Sequence, residues 1–292
     1  MDNNVQTADD LAQKARRLCN VLERALAEGP VGIACSGGLD SRLLAHMAFR
    51  TARESGLALP LLAHIAGPHV PAAETEQARA WAEREGLAML VISIDPLKNP
   101  AVARNGRDRC YHCKKMLFET LTASLTEAFT GWRPCVCDGS NRSDRAMFRP
   151  GLRALAELGV RSPLDEAGLT KDDIRRLAAA TGLERPDQAA RPCLLTRFPY
   201  DMSPSLEALQ ALEAMEAKTE ALLRARLDRI PDFRIRATEQ GSWLVQLGAC
   251  PQSVAEQILD ALALRPEQLV ITDQPSGYFD RQKTSGGEVQ PR

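Results

Sequence analysis

The sequence carries almost no net charge. Its 37 Lys and Arg stand against 38 Asp and Glu, a formal −1 over 292 residues, so the balance gives no reason to expect nucleic acid as a partner. No apolar run approaches the length that spans a bilayer. The polar, acidic start "MDNNVQTADD" has no basic segment followed by an apolar one, so neither a membrane nor an export signal is expected. A cytoplasmic location follows as the expectation. In that compartment the eight cysteines read as buried, metal-binding or reactive groups, not as a disulfide framework. The rest is ordinary soluble composition, 44% hydrophobic and 26% charged, long enough for one large domain or two smaller ones.

Four short apolar runs without alternation, at 31–35 ("VGIAC"), 61–66 ("LLAHIA"), 88–94 ("AMLVISI") and 134–138 ("PCVCD"), read as strands buried on both faces. Helical stretches at 40–55, 72–86 and 114–129 lie between them, the last with Leu117, Leu121 and Leu125 at helical spacing. Thr170, Asp173 and Gly182 mark the cap and stop of a further short helix. This alternation predicts an α/β fold, a doubly wound parallel sheet, over residues 1–200. From 183 to 205 periodicity fades and Pro186, Pro192, Pro199 and Pro204 appear, the mark of a functional loop or linker. A helix near 204–229, strands at "FRIRAT" and "WLVQL", a helix near 252–263 and a strand "QLVITD" predict a smaller α+β domain over 201–273. The Gly- and Ser-rich stretch 274–292 is expected to be disordered.

Between the first strand and its helix stands Ser36-Gly37-Gly38-Leu39-Asp40-Ser41. In open α/β sheets ligands bind at the carboxyl ends of strands. Glycines there let backbone N–H groups approach an anion, and the following helix adds its positive end. The stretch has no lysine and is not a Walker A loop. It matches the S-G-G-x-D-S loop of the PP-loop ATP pyrophosphatases, enzymes that attack the α-phosphate of ATP and release pyrophosphate. In that reading Ser36, Gly37, Gly38 and Ser41 cradle pyrophosphate while Asp40 helps to hold Mg²⁺. A bare strand-to-helix turn capped by Asp40 or Ser41 is the plainer alternative.

Four further stretches, "RCYHCKKMLFETL", "DGSNRSDRAMFRPGLRALAELGVRSPL", "GLTKDDIRRLA" and "CLLTRFPYD", follow in that order. Together with the glycine loop they closely resemble the LarE family of ATP-dependent sulfur transferases, over about 31–247. The resemblance implies that a carboxylate of a small pyridinium nucleotide-like substrate is adenylated by Mg-ATP. A cysteine thiolate then displaces AMP, and its C–S bond breaks to leave a thiocarboxylate, as in nickel-pincer nucleotide cofactor biosynthesis. The matching cysteine is Cys193. The neighbouring Arg197 is of a type that lowers thiol pKa values and binds phosphates.

The C-x-x-C pair Cys110 and Cys113 admits a second route, because some relatives hold a [4Fe–4S] cluster on three cysteines. Cys110, Cys113 and Cys193 would supply that trio. A helix start without metal is the alternative, and the sequence leaves both open. Gly139 and Asn141, in the loop after the fourth strand, match a segment that contacts adenosine in the superfamily. Arg149, Arg234 and Arg236 are candidates for the substrate's phosphate and carboxylates, although the last two equally suit a solvated strand edge. Glu213 and Glu216 share a helix face and read as solvated surface, with metal binding as the alternative; Cys135 and Cys137 read as core, although one of them could face the site.

Two departures from the family pattern bear on the substrate. "RPDQAARPC" replaces the usual Trp-Asp-Lys-Pro stretch, and Asp201 follows "FPY" where glycine is common. An amide-forming synthetase of the NAD synthetase type, a tRNA thiolase and a nucleotide-binding regulator without chemistry are the competing readings. A small-molecule partner, no nucleic acid, no membrane and a symmetric homo-oligomer are expected.

Overall fold

A computed structural model of the chain describes residues 2–146, 149–273 and 278–279. The chain divides into two compact units, Met1–Val102 with Asp108–Arg191, and Ala103–Arg107 with Pro192–Arg292.

In the first unit the elements run α1 (Asp2–Glu28), β1 (Val31–Ala34), α2 (Leu39–Glu54), β2 (Leu61–Ala66), α3 (Ala72–Arg84), β3 (Met89–Ser93), α4 (Pro100–Ala103) and α5 (Arg109–Ala128). They continue with β4 (Cys135–Cys137), α6 (Gly151–Glu157), α7 (Pro163–Glu166) and α8 (Lys171–Ala180). The sheet is all parallel with order β3-β2-β1-β4. The chain winds outward from β1 to β3 and then returns to place β4 on the other side of β1. The β1/β4 seam is therefore the switch point at which open α/β sheets bind ligands.

Alternation along β1 builds the two layers. Val31, Ile33 and Cys35 pack into a core with Leu18 and Leu22 of α1, Leu43 and Leu44 of α2, Trp81 of α3 and Ile174 of α8. Gly32 faces the other way, where Leu125 of α5 lies so close that a Cβ would meet its side chain at 2.3 Å. The expected doubly wound architecture stands. The sequence reading assigned no element to the first 28 residues, yet α1 is the longest helix described. Its signal is Leu11, Ala15, Leu18, Leu22 and Ala25, which return every three or four residues and lie on that core.

The second unit holds α9 (Leu206–Arg226), β5 (Phe233–Ala237), β6 (Trp243–Leu247), α10 (Gln252–Leu262) and β7 (Leu269–Ile271). β5 pairs antiparallel with β6, and β6 parallel with β7. Leu209, Leu212 and Leu223 of α9 are buried with Ile235, Val245 and Ile258, so the small sheet has one helix-covered face. Residues 103–107 join this unit through Asn105, which is fully buried. Its Nδ2 donates to Pro199 O at 2.7 Å, and its own carbonyl accepts from Asp201 N. The stretch expected to be disordered, 274–292, lies outside the described residues except for Tyr278 and Phe279.

Candidate active site

The glycine loop leaves β1 and enters α2 as its sequence suggests. Gly38 is the N-cap, and Asp40 lies in the first turn of a 16-residue helix, whose first amides have no intrahelical partner and carry the positive end of the dipole. Gly37 has φ +80°, a conformation that favours glycine. The hydroxyls hold the loop's shape. Ser36 Oγ lies 3.2 Å from Ser41 Oγ, Ser41 Oγ donates to Gly38 O at 3.0 Å, and Gly38 N points at Ser36 Oγ at 3.4 Å.

The loop after β4 comes against this turn backbone to backbone. A Cβ on Gly139 would stand 2.9 Å from Ser41 N, closer than two such atoms approach. Asp138 is buried and orders the loop. It accepts from Ser140 N at 3.2 Å and from the hydroxyls of Ser140 and Ser162 at 2.6 Å each. Asn141, also buried, donates from Nδ2 to Asp40 Oδ2 at 3.2 Å.

Asp40 then receives a cation that the loop itself lacks. Lys171 Nζ stands 2.5 Å from each carboxylate oxygen. It is the first residue of α8, whose start is set by a capping box between Thr170 and Asp173. Ser143 Oγ accepts from Lys171 N at 3.1 Å, so the residues just after the β4 loop also fix where that helix begins. Sequence reading missed Lys171. Its one visible signal was its place directly after the helix cap, which fixes the first turn but not what that turn faces.

A second cation braces the loop from behind. Arg42 is 1% exposed and donates to Glu184 O at 2.9 Å and to Gln188 Oε1 at 2.6 Å. Gln188 Nε2 in turn reaches Gly37 O at 3.4 Å. The irregular chain after α8 is thereby tied to the glycine turn. Burial pulls the Arg42 pKa down from its ordinary value, but a guanidinium stays charged at neutral pH.

Cys110 and Cys113 lie in the first turn of α5, half-buried and buried. At that spacing they share a helix face. Among the described residues no three His, Cys, Asp or Glu side chains form a group that could hold a metal ion. A divalent cation at Asp40 is a different case. One carboxylate plus the phosphates of a nucleotide is a normal Mg²⁺ environment, and Asp40 is part-exposed. Arg149 sits beside the β4 loop, with Nη1 3.0 Å from Asp144 Oδ1.

In the second unit, Cys193 caps a single 3₁₀ turn, Leu194–Arg197. Its carbonyl accepts from Thr196 N at 3.1 Å and from Thr196 Oγ1 at 2.8 Å, which fixes the backbone while the residue stays half-buried. Arg197 is 2% exposed and donates from Nε to Glu216 Oε1 at 2.8 Å. Glu216 is thus a partner of a buried arginine, which corrects its expected place on a solvated helix surface.

Arg234 and Arg236 are likewise buried, because their shared face of β5 turns towards the Cys193 segment. Arg236 Nη1 donates to Thr196 O at 3.0 Å, and Nε to Gln246 Oε1 at 2.7 Å. A solvated strand edge is therefore excluded. Burial first, then the charges of Arg197 and Arg234, pull Arg236 down to about 9. The charges of Arg197, Arg234 and Glu216 all reach Arg236.

No family model matches the chain, but individual proteins do. Over 204 residues it is 33% identical to an uncharacterized protein of Synechocystis, covering 70% of this chain and 71% of that one. Over 222 residues it is 31% identical to an uncharacterized protein of Methanocaldococcus jannaschii, covering 76% and 81%. Over 171 residues it is 32% identical to the pyridinium-3,5-bisthiocarboxylic acid mononucleotide synthase of Lactiplantibacillus plantarum, covering 58% of this chain and 59% of the synthase. The chain belongs to the LarE family. This LarE family member keeps a single cysteine in the irregular segment after α8. It places Asp201 at φ +68°, the left-handed conformation that explains why glycine suits that position. No described helix is long and apolar enough to cross a membrane.

Proposed function

We propose that the protein is an ATP-dependent sulfur transferase that converts a carboxylate of a small pyridinium nucleotide to a thiocarboxylate, with Cys193 as the sulfur donor. The observation that carries this reading is the convergence of Asp40, Lys171 and Asn141 on the glycine loop at the β1/β4 seam. The substrate class is inferred from the L. plantarum relative, a pyridinium-3,5-bisthiocarboxylic acid mononucleotide synthase.

Backbone amides at the start of α2 receive the outer phosphates of ATP. Mg²⁺ held by Asp40 would supply charge neutralisation on those phosphates. Lys171, released from Asp40, offers its ammonium to the charge that builds on the α-phosphate. The substrate carboxylate attacks that phosphorus, the α–β phosphoanhydride bond breaks, and pyrophosphate leaves. Arg197, Arg234 and Arg236 hold the anionic groups of the acyl adenylate. The Cys193 thiolate adds to the acyl carbon and AMP departs with the C–O electron pair, leaving a thioester. Loss of the Cys193 Cα proton and cleavage of its Cβ–S bond then release the thiocarboxylate and leave dehydroalanine in the chain.

Pyrophosphate release from ATP tests the reading, assayed with a pyridinium mononucleotide bearing ring carboxylates. Release that depends on the carboxylate and on Asp40, and that survives in Cys193→Ala without thio product, supports it. Full amide-forming turnover by Cys193→Ala with ammonia would replace it with the synthetase reading.

A further inference from the structure

Two thiols that this chemistry leaves unused stand together on β4. Cys135 and Cys137 are two residues apart on a strand, so their side chains leave the same face, and their sulfurs are 4.0 Å apart. Cys137 is fully buried in the main core, and Cys135 packs half-buried at its edge. The chain around Arg161 runs beside β4, with Arg161 N donating to Val136 O and Asp138 N to Arg161 O. That brings the Arg161 guanidinium to Cys135, while Glu166 holds the same guanidinium at 3.1 and 2.5 Å.

The environment divides the two thiols into unlike partners. The Cys137 thiol first, and then the Arg161 guanidinium, hold Cys135 down at about 7. The Cys135 sulfur and burial push Cys137 up. Near neutral pH about half of Cys135 is thiolate, and its neighbour keeps its proton. A thiolate attacks electrophiles, and a second thiol within reach resolves the product.

We propose that Cys135 and Cys137 form a hydroperoxide-reactive dithiol, with Cys135 as the attacking and Cys137 as the resolving residue. In the first step the Cys135 thiolate attacks one peroxide oxygen. The O–O bond breaks, Cys135 becomes a sulfenic acid, and hydroxide leaves from hydrogen peroxide. In the second step the Cys137 sulfur displaces the sulfenic oxygen. Its proton joins the departing hydroxide as water, and an S–S bond remains. One peroxide is reduced to two waters as two thiols become one disulfide. Closure bends β4, because Cβ atoms that leave a strand side by side must draw in to about 3.8 Å. Two residues of strand separate Cα atoms by about 6.6 Å, within the range of roughly 4.4–6.8 Å that disulfides span.

Oxidation would act on the nucleotide loop as well. Cys137 immediately precedes Asp138, whose hydrogen bonds order the turn that carries Asn141 to Asp40. This consequence rests on the proposed nucleotide reading, but the dithiol chemistry does not.

The full-length protein is exposed to a small excess of hydrogen peroxide, alkylated with iodoacetamide and digested with trypsin. Cleavage after Arg109, Lys114, Lys115 and Arg142 separates the Cys110/Cys113 peptide from that of Cys135 and Cys137, Arg133 being protected by Pro134. The expected result is a 135/137 peptide about 2 Da lighter that resists alkylation, appearing before any change at Cys110 and Cys113. Cys137→Ser and Cys137→Ala should both stop at a sulfenic acid on Cys135, trapped by dimedone. A 135/137 peptide that stays reduced while other cysteines oxidise overturns the proposal. So does a Cys135 that passes to sulfinic acid in the unaltered protein without a disulfide.

Discussion

Lys171 places its ammonium 2.5 Å from both carboxylate oxygens of Asp40, across 131 residues of sequence. The pair joins the first turn of α2 to the first turn of α8, and Asn141 completes it from the loop after β4. A glycine loop without its own lysine thus has one within reach, supplied by tertiary structure. The contact is also part-exposed, with 30% of the lysine and 22% of the aspartate side chain accessible, as displacement by the proposed nucleotide requires.

Lys171→Ala should therefore damage chemistry far more than folding. Removing a charge aimed at a developing oxyanion costs on the order of 10²–10³ in rate, whereas a part-exposed ion pair contributes at most about 1 kcal/mol to stability. Pyrophosphate release and a urea melt on the same preparation check this. Equal loss in both would make Lys171 a structural residue.

Gly139→Ala drives a methyl group to 2.9 Å from Ser41 N, with backbone on the far side that cannot rotate away. Overpacking of this kind costs about 1–3 kcal/mol, concentrated on the two loops. We expect weaker ATP binding by calorimetry with a melting temperature only a few degrees lower.

Glu216→Gln removes the carboxylate that faces Arg197 and leaves a guanidinium that is 2% exposed. Breaking a buried pair costs about 3–5 kcal/mol, and with Glu216 17% accessible the lower end is expected. Chemical denaturation reads that loss.

His69 gives the protein an acid sensitivity of its own. The residue is 4% exposed, and burial depresses its pKa to about 4 despite the attraction of Asp95. The unfolded chain binds a proton near 6.5 that the folded chain refuses until about 4, so the unfolded state gains between those values. Stability from this group is complete above pH 6.5 and is lost as pH falls, by something on the order of 3 kcal/mol. His69→Gln should flatten the stability profile between pH 6.5 and 4, measured by urea melts across that range.

The parallel sheet was legible because strands buried on both faces leave unbroken apolar runs, and "VGIAC" before two glycines leaves little choice of turn. Lys171 and Arg42 were not legible. Each sits on a helix whose pattern fixes its own spacing, but the groups they meet, Asp40 and Gln188, come from elsewhere in the fold. Arg234 and Arg236 showed a shared strand face by their alternation. Which way that face turned depended on the Cys193 segment, whose carbonyl at Thr196 draws Arg236 inward. The first helix is legible only behind its polar opening, where Leu11, Ala15, Leu18, Leu22 and Ala25 return every three or four residues.

The central claim is that the sulfur at position 193 ends on an adenylated carboxylate. Intact-mass measurement after turnover with Mg-ATP and the pyridinium nucleotide tests it most directly. The account predicts that each thiocarboxylate formed removes one H₂S, about 34 Da, from the chain, with the change mapped to Cys193. Thio product released by protein of unchanged mass would contradict it.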